Sequence, residues 1–267
     1  MPESESPSNG DAPRPGDSYV QSFARGLAVI RSFDARAPQQ TLSEVAQRTG
    51  LTRAGARRIL LTLEGLGYVR SQGRQFCLTP KILDLGFAYL SSLPLWNLAE
   101  PVMEKLAEEL KESCSAAVLD GADIVYVLRV PTHKIMSINL GIGSRLPAAC
   151  TSMGRTLLAE LDETAVDALL AGHPPAAHTD RTITDPTRLK AELARVRRQG
   201  WCVVDQELEE GLVSLSVPIR DRAGRAIAAM NVSGQAARTP APRMVELFLP
   251  RLQAAAAQIS QMLQVKA

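Results

Sequence analysis

Residues 41–66, TLSEVAQRTGLTRAGARRILLTLEGL, admit few folds because the start and stop signals of two helices lie within a few residues of each other. Thr41 and Glu44 have the spacing of a capping box, which predicts a helix starting at Thr41. Leu42, Val45 and Ala46 give it an apolar stripe, and Gly50 suits the left-handed residue just past its end. Thr52 then caps a second helix, whose apolar positions Ala56, Ile59, Leu60, Leu63 and Leu66 recur at helical spacing. Arg53 and Arg57 lie four apart and share a face, with Arg58 and Thr62 alongside. Two helices joined by a short glycine-containing turn, the second presenting cations and small polar groups, form the helix-turn-helix arrangement that enters a DNA major groove.

An arginine-bearing amphipathic helix can also be a plain solvated surface. The segment after the second helix favours DNA. Tyr68–Arg70 and Phe76–Leu78 read as two short strands around the polar turn Ser71–Gln75, which places a hairpin directly after that helix as the wing of a winged helix-turn-helix. Charge agrees. The chain carries a net +2, yet residues 20–81 hold ten Lys/Arg against three Asp/Glu, and residues 1–19 hold four acids against one arginine. A basic module joined to a mildly acidic remainder fits DNA binding by one part alone. The expected DNA contacts are Thr52, Arg53, Arg57, Arg58 and Thr62 on the second helix, and Arg74 on the wing.

The remaining chain divides by composition. Residues 1–18 are rich in Pro, Ser, Gly and acids and are expected to be a disordered tail. Tyr19–Phe33 is amphipathic, with Phe23, Leu27, Ile30 and Phe33 on one stripe, and Ala37–Gln40 reads as a loop. The DNA-binding domain therefore spans 19–80. Residues 81–94 form a linker helix whose excess of apolar side chains suggests pairing with a second copy, as symmetric DNA-binding dimers require.

From residue 95 to 267 the pattern is α+β. A helix marked by Leu98, Val102, Leu106 and Leu110 precedes a hairpin (Ala116–Leu119, Ile124–Val130). Ser137–Leu140 reads as a further strand. Helices follow at Thr151–Leu161, Thr164–Leu170 and Thr187–Gln199, then strands at Trp201–Asp205, Ser214–Ile219 and Ala226–Ser233, and a long helix from Ala241. Helices flanking a mostly antiparallel sheet suit a domain that holds a small ligand.

Several chemistries find no support. Gly141-Ile142-Gly143-Ser144-Arg145-Leu146 begins like a dinucleotide fingerprint but lacks the third glycine and a following helix, so it reads as a turn. P-loop and nucleophile-elbow patterns are missing, and His133, His173 and His178 show no metal-ligand spacing with the cysteines. No catalytic residue, metal or cofactor is therefore expected. Cys77, Cys114, Cys150 and Cys202 are far apart and read as buried, reduced thiols of a cytoplasmic protein, and no apolar run is long enough to span a membrane.

Over residues 19–263 the sequence resembles the IclR family of bacterial transcription regulators. The matching stretches are SFARGLAVIRSF, LSEVAQRTGLTRAGARRILLTLEGLGYV, LTPKILDLG, RLPAACTSMGRTLLAEL, RRQGWCVVDQE and MNVSG. YVQSFARGLAVI, AYLSSLPLWNLAEP, ESCSAAVLDGADIVYV and CTSMGR look most like its Pca/Pob branch, which regulates catabolism of protocatechuate and 4-hydroxybenzoate through the β-ketoadipate pathway. The resemblance implies a GAF-like effector domain, a small organic acid (aromatic or dicarboxylic) as effector, operator DNA as partner, and a homodimer or tetramer. It places the effector pocket at Ser152 and Met153, Asp205, Ser214, Asn231 and Ser233, with Ile135 and Ile138 near it. Met153 and Asn231 stand where the family more often has a smaller residue and a hydroxyl, which argues against a glyoxylate- or pyruvate-sized ligand. Thr151-Ser152, at a helix start, could also present backbone N–H groups to a carboxylate, or simply be an N-cap. Asp205 reads equally well as a strand-end turn residue. The competing reading from another class is a sensor or enzyme whose basic module makes protein contacts.

Overall fold

The computed structural model describes residues 19–92, 95–131 and 140–265, so the tail, Ile135 and Ile138, His133 and most of the expected 137–140 strand lie outside the described residues. The chain divides into two compact units, the first ending at Tyr89 and the second starting at Leu90, a division inside the segment expected to link them.

In the first unit α1 (Gln21–Arg31), α2 (Leu42–Thr49) and α3 (Arg53–Gly65) surround one small core. The capping box forms as expected: Thr41 N–H and Oγ1–H both donate to Glu44 Oε2, at 2.6 and 2.8 Å, and Thr41 Oγ1 accepts from Glu44 N–H. Gly50 closes α2 at φ 66°, and Thr52 Oγ1 caps α3 by accepting from Gly55 N–H at 3.1 Å. Val29, Phe33, Val45, Ala46, Ala56, Leu60, Leu63 and Val69 pack together beneath, each larger aliphatic contributing roughly 1.5–3 kcal/mol by burial. The apolar stripe expected of α1 divides differently. Val29 and Phe33 turn inward, whereas Phe23 and Leu27 stay 69% and 39% exposed.

The wing is β2 (Val69–Gln72) and β3 (Gln75–Leu78), joined by Gly73 and Arg74, with Gly73 at φ 63° making the tight reversal. The expected loop before α2 is instead a short strand, β1 (Gln39–Thr41), paired antiparallel with β3. A 3-10 turn at Pro80–Ile82 then leads into α4 (Leu83–Ser92).

The second unit is a six-stranded antiparallel sheet with helices on both faces. Its strands are β4 (Ser113–Asp120), β5 (Asp123–Val130), β6 (Arg145–Pro147), β7 (Cys202–Asp205), β8 (Leu212–Arg220) and β9 (Ala226–Gln235), in the spatial order β6-β5-β4-β9-β8-β7. Gly141–Ser144 is the expected turn, but Arg145–Pro147, read as its continuation, is the edge strand β6. One face packs Cys114, Ala116, Leu215, Met230 and Val232 against α5 (Leu95–Leu110) and α9 (Ala241–Val265). The other face lies under α6 (Ser152–Leu158), α7 (Glu163–Gly172) and α8 (Pro186–Gln199). Among the described residues the cysteines are free and buried. No helix is long and apolar enough to cross a membrane.

Candidate DNA-binding face and effector cavity

Thr52, Arg53, Arg57, Arg58, Thr62 and Arg74 are all solvent-exposed. None of these arginines pairs with a carboxylate among the described residues. Buried Ala56, Leu60 and Leu63 fix the rotation of α3, which turns Arg53 and Arg57 outward together. Arg58 and Thr62 lie further round the helix. They border an open apolar cleft of about 870 Å³ that includes Phe23 and Leu27 of α1, and Thr62 Oγ1–H donates back to Arg58 C=O at 2.9 Å. Arg74 sits at the tip of the wing.

In the second unit the face under α6 carries an unusual row pattern. Ser115, Asn231 and Ser216 are neighbours across β4, β9 and β8, and Ser113, Ser233 and Ser214 form a second row. Six polar side chains thus occupy the centre of a sheet whose reverse side, at its centre, packs Cys114, Ala116, Leu215, Met230 and Val232. Buried polar groups are tolerated when paired, and most of these are. Thr156 and Ser216 hydroxyls meet at 2.7 Å, Ser214 Oγ–H donates to Ser152 Oγ at 2.9 Å, and Asn231 Nδ2–H donates to Ser233 Oγ at 3.0 Å. A bulge opposite Ala116 and Ala117 turns both Tyr126 and Arg129 of β5 to this face, where Arg129 Nη1–H reaches Ser115 Oγ at 3.5 Å.

Ser152, Met153, Ser214, Asn231 and Ser233 are brought together around one small cavity, whose walls include Tyr126, Cys150 and Leu208. Its volume is about 20 Å³, room for roughly one water. Met153, 1% exposed, is one of the side chains that wall it. Gly154 sets the approach of α6: a Cβ there would lie 2.2 Å from Ala148 O, so only glycine lets the helix start so close to the preceding turn. Thr151 is an N-cap, its Oγ1 accepting from Gly154 N–H at 3.2 Å. Burial pushes the Tyr126 phenol up to about 12 and the Cys150 thiol up to about 11, so both stay neutral at physiological pH.

Asp205 is not brought to the cavity. Its Oδ2 accepts from Arg181 Nη1–H at 2.9 Å and its Oδ1 from Gln206 Nε2–H, on a half-exposed edge, which is the strand-end role. The acid that turns inward is Glu207. Gln206, at φ 63°, reverses the chain so that Glu207 meets Arg155 through two bonds, 2.6 and 2.5 Å. Arg155 is 1% exposed, and its Nε–H donates to Ala149 C=O at 2.7 Å. Glu207 Oε2 also accepts from Ile183 N–H, while Thr179 and Thr182 hydroxyls donate to the backbone carbonyls of Gln206 and Glu207. This buried pair ties α6 to the loop carrying Leu208, a wall of the cavity. Sequence reading missed Arg155, Glu207 and the seryl rows; for the rows, the alternation in SCS, SLS and NVS was the available signal.

Family comparison agrees with both units. Residues 22–73 match the IclR helix-turn-helix domain, and residues 87–261 match the C-terminal domain of bacterial transcriptional regulator IclR. The chain belongs to the IclR family. IclR proteins are transcription regulators rather than enzymes, and the helix-turn-helix is their DNA-binding part. The Pca regulon regulatory protein of Pseudomonas putida is 47% identical over 238 residues, 89% of this chain and 82% of that protein. A transcriptional regulator from Rhodococcus sp. RHA1 superposes with a TM-score of 0.83 at 52% identity, covering 92% of this chain and 98% of that one. An IclR homologue from Microbacterium hydrocarbonoxydans, solved with 4-hydroxybenzoate, gives a TM-score of 0.82 at 26% identity, with 91% and 99% covered.

Proposed function

We propose that this IclR-family chain is a cytoplasmic, effector-responsive regulator of aromatic acid catabolism, acting on genes of the protocatechuate and 4-hydroxybenzoate branch of the β-ketoadipate pathway. The observation that carries this reading is the polar cavity built from α6, β8 and β9 in a chain whose other unit presents an unpaired arginine face. The Pca relative and the 4-hydroxybenzoate bound to the Microbacterium homologue point to the ligand class. Arg129, on the same sheet face and paired with no carboxylate among the described residues, is a cation free to balance a carboxylic acid, whereas Arg155 is held by Glu207. Ser152, Met153, Ser214, Asn231 and Ser233 form the effector site. Thr52, Arg53, Arg57, Arg58 and Thr62 on α3, with Arg74 on the wing, contact operator DNA.

Binding has to enlarge the cavity, because 20 Å³ does not admit an aromatic ring. Met153, unbranched and adaptable, is the side chain best suited to move. An effector that fits the enlarged state then shifts the population of that state, and with it DNA occupancy. The chain works as a homodimer paired through α4, where Leu83, Leu85, Phe87 and Tyr89 are 49–69% exposed, with tetramers as pairs of such dimers.

The test is a salt-dependent gel shift on the chain's own upstream region, with and without protocatechuate, 4-hydroxybenzoate or β-ketoadipate, alongside thermal shift with the same acids. The reading expects one acid to raise the melting temperature and to change operator affinity. DNA binding without any response to the three acids would refute the effector assignment.

A further inference from the structure

The three acids of residues 20–81 are each engaged close to home. Asp34 pairs with Arg48, Glu44 closes the capping box of α2, and Glu64 accepts from the N–H and the hydroxyl of Ser71. Arg25, Arg53, Arg57, Arg58 and Arg74 are exposed and meet no carboxylate among the described residues. Like charges crowded onto one small unit repel one another until a counter-charge is supplied. The nearest such supply in sequence is residues 1–18, where Glu3, Glu5, Asp11 and Asp17 outnumber a single Arg14.

Val20 and Arg25, at the start of α1, line the same cleft as Thr52, Arg58 and Thr62 of α3. The chain thus enters the unit beside the face that is read as meeting DNA. α3 has 13 residues, which makes it about 20 Å long. An extended chain advances up to ~3.5 Å per residue, so Asp17 reaches about 10 Å from Val20 and Asp11 about 30 Å. Carboxylates can therefore be laid along the whole of the helix. After Met1 the segment has no large apolar side chain, so its complement is the cationic face and not the apolar cleft itself.

We propose that residues 1–18 dock on the arginine face of α3 as an intramolecular stand-in for phosphate, so that DNA has to displace an acidic segment of the same chain in order to bind. This rests on the reading of α3 as the DNA-binding face. A single exposed ion pair is weak, but tethering gives the segment an effective concentration of about millimolar, and several pairs act together. The same segment has to leave whatever the DNA sequence, so affinity falls by one common factor and base reading is untouched. Exposed charges are screened beyond roughly 10 Å at 0.1 M salt and beyond much less at higher salt, so the contact is strongest in dilute salt.

Two measurements on the full-length chain test this. In gel shifts with a non-specific duplex, the variant Glu3→Gln/Glu5→Gln/Asp11→Asn/Asp17→Asn is expected to bind at least ~3-fold more tightly than the natural chain at about 50 mM salt, the difference narrowing toward unity by about 200 mM. In the second, Ser8→Cys carries a benzophenone, the four natural cysteines being buried. Irradiation is expected to join it to peptides of α3, and added duplex to suppress those products. Unchanged affinity in the neutralised variant overturns the docking. So does tighter binding without cross-links to α3, because bulk charge alone would then account for the gain. If neither chain binds any duplex, the reading of α3 as the DNA face falls as well.

Discussion

Arg155 and Glu207 are 52 residues apart in sequence and meet through a bidentate pair that is almost wholly out of water. Removing one member strands the other's charge in the interior, which typically costs 3–5 kcal/mol. Arg155→Met is therefore expected to lower unfolding stability by about that amount in urea titrations, whereas Arg155→Met/Glu207→Met should recover most of the loss. Met153→Ala should act in the opposite sense on function. It costs about 2–5 kcal/mol of stability but opens room in the cavity, so calorimetry should show tighter binding of 4-hydroxybenzoate. On the DNA side, Arg57→Ala should cost roughly 1–3 kcal/mol and relax specificity at one base pair if it reads guanine. Arg74→Ala should weaken all sequences alike and flatten the salt slope by about one unit. At this scale the sequence was only partly legible. Ser152, Met153, Ser214, Asn231 and Ser233 could be placed by resemblance, and they do gather at one cavity. Asp205 could not be told from Glu207, because the left-handed Gln206 decides which acid turns inward and no local pattern announces it.

Elements with their own start and stop chemistry were the easiest to read. Thr41, Glu44, Gly50 and Thr52 bound α2 and α3 as their identities suggested, since capping is a local interaction. By contrast β1 and β6 are three residues each, too short to show alternation, and they exist because β3 and β5 offer edges to pair with. Thr41→Ala removes the side-chain half of the capping box and is expected to cost about 1 kcal/mol, seen as a lower melting temperature and weaker operator binding. Hydrogen bonds from Thr41 hold the Glu44 carboxyl below the usual glutamate range. A depressed carboxyl stabilises the fold above its unfolded pKa, and that contribution is lost as pH falls through the folded one. Acid melts should thus lose the first turn of α2 at a higher pH in Thr41→Ala. The exposed apolar side of α4 predicts that Leu83→Asp or Phe87→Asp lowers the sedimenting mass to that of one chain, because each would place a charge in an apolar seam. An unchanged mass in both would exclude that seam.

Taken whole, the chain joins two units that bury separate cores, and the surface of the first carries most of the large exposed apolar side chains among the described residues, from Tyr19 to Tyr89. That uneven distribution was foreseen for α4 but not for α1, whose stripe looked like core because periodicity reports amphipathicity without saying what covers the apolar side. A coupling of about 1–3 kcal/mol is typical of allosteric proteins in general, and between effector and operator it would suffice for a switch. The closed cavity adds a matter of timing. Cys150 stands in its wall, 2% exposed, with its thiol raised to about 11, so at pH 8 only about one molecule in a thousand carries the thiolate. Alkylation of Cys150 therefore has to wait for the wall to part. With Cys77, Cys114 and Cys202 changed to alanine, the labelling rate of the remaining thiol should level off as reagent concentration rises, and the plateau is the opening rate itself. Effector capture from solution should saturate at that same rate in stopped-flow experiments. The speed at which such a regulator answers a pulse of acid would then be set by how often its own interior breathes, whatever the supply of acid outside.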